Sequence, residues 1–448
     1  MTREILLNAF DMNTVGHIQQ GMWRHPRDQS HRYTELSYWT DLAKTLERGL
    51  FDGIFLADVL GVYDVFGGGP ETAIREAVQV PLGDPMMLIP AMAAATQHLG
   101  FGVTCTTTYE PPFLFARRMS TLDGLTNGRI GWNIVTGYLD SAARAVGLPI
   151  QVPHDERYDW ADDYLDTVYR LWEGSWEDNA VKFDRKSGIF TDPALVHRVQ
   201  GAGRYKMDAM HLCAPTPQRT PLLYQAGAST RGRQFAATHA ECVFVNGISK
   251  PQVKALVTDL RSQALHPLKI FVGATIVTGR TDAEANDKLA DYRTHASAEG
   301  CLAQFSASTG MDLSKLDMDE PIQAQTTQAN QSNVESITTR AATVWTKRKL
   351  IDSFILGSRQ PPIVGGPETV ANALQSWMDE ADVDGFNLSR TVTPDCVLDF
   401  IEHVVPELQK RGVYKTEYKP GTLRDKLFGH ARLPANHRGA TARRETAA

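Results

Sequence analysis

A chain of 448 residues is long for an average single domain and suits one large barrel with insertions. Its 42% hydrophobic and 22% charged residues describe a globular protein with a full-sized core, and a net charge of −6 offers no basic footprint for nucleic acid. No apolar run approaches the ~20 residues of a membrane span, MTREILLNAF is no signal peptide, and five scattered cysteines form no CxxC pair, so a cytoplasmic protein without a disulfide framework is expected.

In chain order, Ile5 to Phe10 is a first apolar run and reads as a strand. A polar and aromatic loop follows over 11–36, then an amphipathic helix over 38–49 that stops at Gly49. Residues 53–58 (GIFLAD) form a second buried strand that ends on an acid. FGGGP at 66–70 is a flexible loop, since no strand and helix flank it. Helix 85–98 leads into strand 100–107, and helix 112–125 into strand 129–135. Such regular alternation predicts parallel strands joined by crossover helices.

His154-Asp-Glu-Arg-Tyr158 opens the next long helix, whose apolar positions Tyr164, Leu165, Val168, Leu171 and Trp172 recur at helical spacing. A helix entrance with a His and a Tyr four residues apart suits a phosphate or another anion. Residues 174–219 read as a turn-rich insertion. Strands at 221–226, 242–246 and 269–277 follow, each leading into a helix. The polar stretch 298–362, with QAQTTQANQSN at 323–333, reads as a second insertion and a lid. Helix 367–380, strand 385–388 and helix 394–411 complete the pattern, and the basic tail from 413 to 448 is expected to be extended or frayed. Eight such strands close naturally into a (β/α)8 barrel, with an open doubly wound sheet as the alternative.

Barrel ligands bind at the carboxyl ends of the strands. There the sequence places Asp58, Thr104 to Thr108, Asn133, Gly227 to Ser229 and Asn246. Ser229 stands where it caps a helix, in the region where late barrel strands recurrently hold a phosphate. No GxGxxG follows a strand, and Walker A, GxSxG and HExxH are all missing. His17, His25 and His31 share a loop without ligand spacing, so no metal is expected. A phosphate-bearing organic cofactor fits better.

Several long segments also resemble one family. LNAFDM (7–12), GMWRHP (21–26), LERGLFDGIFLAD (46–58), the stretch 116–148, HDERYDWADDYLDTVYRLWEGSW (154–176), LLYQAGASTRGRQFAA (222–237), IVGGPETVANAL (363–374) and DGFNL (384–388) together resemble the nitrilotriacetate monooxygenase family of bacterial-luciferase-like flavin monooxygenases. The resemblance covers essentially the whole chain. WRHP, LADVLGVYDV and KPGTLR look most like its dimethyl sulfide branch.

The resemblance implies a luciferase-like barrel and a two-component system. A separate NAD(P)H:flavin reductase supplies reduced FMN. With O2 as co-substrate, a 4a-peroxyflavin forms and oxygenates a small organic substrate. An organosulfur compound such as dimethyl sulfide is expected, on the motive of the apolar loop residues Val62, Tyr63, Val65 and Phe66. The family's flavin positions match here at Asp58, Thr104, His154, Tyr158 and Ser229, with Asn133 as a neighbour. Ser229, Tyr158 and His154 are expected around the phosphate and ribityl chain, and Asp58 and Thr104 toward the ring or ribityl hydroxyls. Phe10, His17 and Trp23, in and after strand one, are expected on the substrate side as catalytic candidates. Relatives imply a homodimer or homotetramer. Two other readings stand beside this one: a deazaflavin-dependent oxidoreductase of the same superfamily, and a non-catalytic flavin-binding protein.

Overall fold

The structure, a computed structural model, describes residues 3–227, 229–247, 249–341, 343–356 and 360–444. Eight strands form the barrel: β1 (Leu6–Met12), β2 (Gly53–Ala57), β3 (Gly100–Thr106), β4 (Ile130–Val135), β5 (Leu222–Gln225), β6 (Cys242–Val245), β7 (Lys269–Thr278) and β8 (Gly385–Ser389). Each lies within two residues of the range expected from sequence. Their apolar residues form near-continuous runs because both faces are covered, by helices outside and by side chains inside.

All pairings around the ring are parallel, and β1 pairs with both β2 and β8. β6 pairs with both β5 and β7, which closes the barrel and removes the open sheet as an alternative. The outer helices include α1 (Leu36–Arg48), α2 (Pro112–Leu125), α3 (His154–Gly174), α4 (Thr230–His239), α5 (Lys250–Gln263), α6 (Asp282–His295) and α7 (Pro367–Ala381). Tyr38, Trp39, Leu42, Ala43 and Leu46 show the rule on α1: apolar residues one helical turn apart face the sheet and are buried.

The stretch 174–219 carries an antiparallel hairpin (Val181–Asp184 with Ile189–Thr191) and a second short strand pair. Residues 298–362 are less polar in space than in sequence. Helices Ala298–Thr309, Gln331–Ile337 and Lys347–Phe354 enclose a small core of their own, with Leu302, Leu313, Val334, Trp345 and Leu350 buried in it.

From residue 413 the chain does not fray. Ile5 N–H donates to Val413 O at 2.8 Å, and Lys415 Nζ reaches both Asp52 carboxylate oxygens at 2.8 and 2.9 Å. The short helix Leu423–Phe428, started by a reciprocal Thr422–Asp425 cap, presses Leu423 and Leu427 against the rings of Phe55, Tyr224, Phe244 and Phe271 inside the barrel. Leu423 N–H donates to Gly128 O, just before β4, so this helix seals the amino-terminal end of the barrel. Apolar contact and paired charge replace solvent for these basic residues, which is why a tail-like composition packs. Residues 445–448 of the expected tail lie outside the described residues. Among the described residues no helix is long and apolar enough to cross a membrane.

Candidate functional site

The opposite end of the barrel opens into a cavity of about 730 Å³. Its floor carries the rings of Phe10, Phe55 and Phe244 from β1, β2 and β6. Phe55 and Phe244 meet edge to face at 4.3 Å. Around that floor the strand ends contribute amides. Asn133 is in register with Thr104 across β3 and β4, and its Nδ2 donates to Thr104 Oγ1 at 2.9 Å. The remaining carbonyl oxygen, Asn133 Oδ1, is buried without a hydrogen-bond partner, and so are Gln225 Oε1 and Asn387 Oδ1. Buried polar atoms without partners are costly, and several converging on one cavity mark a place for a polar ligand.

One end of the cavity is built for an anion. Ser229 caps α4, and its Oγ accepts from Gly232 N–H at 3.0 Å. The Tyr158 hydroxyl, on the first turns of α3, sits against Ser229 and Gln225, and burial raises its pKa above the usual phenol value. A Cβ at Gly232 would come within 2.8 Å of that hydroxyl and one at Gly227 within 3.0 Å. Only glycine at both positions lets backbone, phenol and ligand meet this closely. His154, the first residue of α3, rests edge-on against Tyr158 at 5.2 Å. Arg233 also lines this end, with its Nε paired to Asp259, and Arg231 is held by Asp159 and Asp162. A helix amino-terminus, a hydroxyl cap, a phenol and a guanidinium together suit a phosphate.

Asp58 lines the cavity just beyond β2. Burial, and then the charge of Asp84, push its pKa up to about 7. Near neutral pH it is divided between a donor and an acceptor form. The roof comes from 298–362, through Phe305, Asn330 and Phe354 among others. Sequence reasoning passed over these three because the stretch reads as polar, and it also passed over Tyr109, Tyr138, Gln225 and Asn387. Gln225 and Asn387 carried a usable signal: each interrupts an apolar strand near its carboxyl end.

All six residues expected at a flavin, Asp58, Thr104, Asn133, His154, Tyr158 and Ser229, line this one cavity. The three catalytic candidates separate. Phe10 lies in the floor. His17 sits behind it, ring against ring at 4.5 Å, buried, with Nδ1 unpartnered and its pKa pushed well below the usual histidine range by burial and Arg390. Its carbonyl accepts from the amides of Gln20, Gln79 and Gln304. Trp23 is not brought to the site. The residue is 38% exposed, its Nε1–H donates to Glu76 O at 3.2 Å, and the loop carries it outward over the surface. Of the apolar loop residues 62–66, Tyr63 is buried, bonding Gln79 and Tyr138, and none lines the cavity. Ile18, Leu60, Phe305 and Phe354 supply the apolar wall instead.

Residues 19–384 match the luciferase-like monooxygenase family. The chain belongs to that family. Among its relatives, the dimethyl-sulfide monooxygenase of Hyphomicrobium sulfonivorans is 49% identical, covering 99% of this chain and 94% of that one. The long-chain alkane monooxygenase of Geobacillus thermodenitrificans (strain NG80-2) is also 49% identical, covering 99% of both chains. A riboflavin lyase solved with modified FMN and riboflavin superposes with a TM-score of 0.92 at 36% identity, covering 99% of this chain and 100% of that one. The family agrees with the resemblance seen in sequence. The cavity joins an end suited to an anion, a polar-edged floor and an apolar wall.

The phosphate end makes a direct prediction. Ser229→Ala removes both the cap on α4 and a hydroxyl at the anion, and is expected to weaken FMN binding about tenfold, the scale of one lost hydrogen bond to a charged group. Fluorescence titration with FMN checks this, and riboflavin, which lacks the phosphate, should show a smaller difference between the two proteins.

Proposed function

We propose that this chain is the oxygenase component of a two-component monooxygenase that receives reduced FMN from a separate NAD(P)H:flavin reductase. O2 is the co-substrate, and the organic substrate is a small organosulfur compound such as dimethyl sulfide. The observation that carries the reading is the cavity itself. Its phosphate end at Ser229 and Tyr158 is continuous with three unpartnered amide oxygens at the floor and with an apolar wall.

When bound, the reduced flavin supplies the activation of O2 and the transfer of one oxygen atom. The protein supplies orientation and dryness. In this reading Ser229, Tyr158, His154 and Arg233 hold the phosphate and ribityl end. Asn133, Gln225 and Asn387 offer acceptors to ring N–H groups, and Thr104 fixes the Asn133 amide by accepting a hydrogen bond from its Nδ2. Asp58, divided between its protonated and ionised forms near neutral pH, can hold or release a proton at its carboxyl oxygen. Phe305 and Phe354, whose rings stack at 6.2 Å, exclude water from above. His17 stays neutral behind Phe10, where it supports that ring rather than touching substrate.

An apolar wall accepts an alkyl chain as well as a dialkyl sulfide, and the equally similar alkane monooxygenase makes that the second reading. The test mixes the protein with chemically reduced FMN and 18O2, in the presence of dimethyl sulfide or of a long-chain alkane, and follows labelled product by mass spectrometry. Label entering a sulfide-derived product is the expected result. Label entering only the alkane moves the substrate and keeps the oxygenase. Peroxide alone, with either substrate, overturns the oxygenase reading in favour of a flavin-binding protein.

A further inference from the structure

A second group of chemically able side chains lies outside the cavity, where the loop after β1 meets α6. His25 follows the tight turn Met22–Arg24, while Asp291 and His295 stand one turn apart at the end of α6. His25 Nε2 lies 2.9 Å from Asp291 Oδ2, and His295 Nε2 lies 3.7 Å from Asp291 Oδ1. The three ligand atoms are all within 4.8 Å of one another. Metal–ligand bonds of about 2.0–2.1 Å put the ligand atoms of a tetrahedral site roughly 3.3 Å apart; the 2.9 Å from His25 Nε2 to Asp291 Oδ2 is near that spacing, while His295 faces the other oxygen of the same carboxylate.

The ligands also differ usefully in exposure. His25 is buried and fixed edge-on against Tyr292 at 5.5 Å, whereas Asp291 is about half exposed and His295 partly so. A cation can therefore arrive from solvent and keep a water ligand. The nearby guanidinium groups have counter-ions of their own, Arg24 with Glu76 and Arg27 with Asp395. The loop is already stitched to this region by Ser297 N–H donating to Gln20 O at 2.9 Å.

We propose that His25, Asp291 and His295 form a site for a borderline divalent cation, zinc above all, with water completing the coordination. Two imidazoles and one carboxylate are the donor set that such ions prefer. On binding, the metal takes the place of the Nε2 proton that His25 otherwise donates to Asp291. The long 3.2 Å contact from Arg27 N–H to His25 Nδ1 is given up, because that nitrogen then carries the ring proton. The ion ties the loop that bears Ile18 to the helix that leads into the roof. Loop spacing among His17, His25 and His31 gives no hint of this, since two of the three ligands lie some 266 residues further on.

The test uses the untagged full chain, stripped with a chelator and then freed of it. Zinc chloride is titrated calorimetrically, cobalt chloride is followed by visible absorbance, and melting is measured with and without zinc. One ion per chain is expected, with a rise in melting temperature on zinc addition. Asp291→Asn and His295→Gln, both at solvent-accessible positions, should each weaken binding at least tenfold and abolish the rise. The cobalt bands should fade in both. Absence of stoichiometric binding, or binding and melting unchanged by both substitutions, overturns the site.

Discussion

Replacing Asp58 with asparagine is expected to stabilise the flavin-free protein at pH 8 by about 2–4 kcal/mol, and to leave stability below pH 4 nearly unchanged. The folded-state value of about 7 lies above the ordinary 3.8 of a free aspartate. Between those two pH values the folded chain keeps a proton that the unfolded chain has released. The contribution of this carboxyl to stability is thus full below pH ~4 and is lost as pH rises through about 7. Three pH units correspond to at most about 4 kcal/mol, and partial exposure of the side chain lowers that figure. Asparagine has nearly the same shape and holds its hydrogens at every pH. Denaturant midpoints of both proteins at pH 3.5, 6 and 8 check the prediction, and parallel pH profiles for the two would sink it.

Arg424→Ala is expected to cost about 3–5 kcal/mol, because it leaves one half of a buried ion pair behind. Arg424 and Glu241 are both fully buried, joined by bonds of 2.6 Å from Nε and 2.9 Å from Nη2. Burial alone would push the Glu241 carboxyl up, yet the guanidinium, with the hydrogen bonds around it, holds it below the usual range. The same guanidinium donates to Thr220 O, Pro221 O and Ala431 O, so its loss strands three carbonyls as well. Pairing the change with Glu241→Leu removes the orphaned charge and should recover part of the loss. Urea midpoints of the two variants decide this, and equal midpoints for wild type and Arg424→Ala would show that the pair contributes nothing.

The sequence made the barrel legible because each strand is an apolar run bounded by turn residues, and those runs survive any detail of packing. The cavity was legible for a related reason. Asp58, Thr104 and Asn133 interrupt the apolar pattern at the carboxyl ends of strands, where a barrel puts its ligands. Position along the chain could not say which way a loop folds, so Trp23, six residues after His17, was expected at the mouth and lies on the surface. The stretch 298–362 reads as a lid, but its core does not show in the sequence, because Leu302, Val334 and Leu350 sit on three separate short helices and Leu313 and Trp345 lie between them. The tail was misread because Arg424 looks solvated until Glu241, 183 residues earlier, is found beside it.

Closure of the ring sets a timetable for synthesis. Leu6 on β1 has Gly385 on β8 as its neighbour, and the helix at 423–428 seals the end of the ring near which Asp52 meets Lys415. At translation rates of about 5–20 residues per second, β1 waits on the order of tens of seconds outside the ribosome for its second partner. Until then, the inner rings of Phe55, Tyr224, Phe244 and Phe271 have no floor plug. A ribosome that stalls before residue 423 therefore releases a chain with an unsealed, sticky interior, a natural substrate for chaperones and proteases.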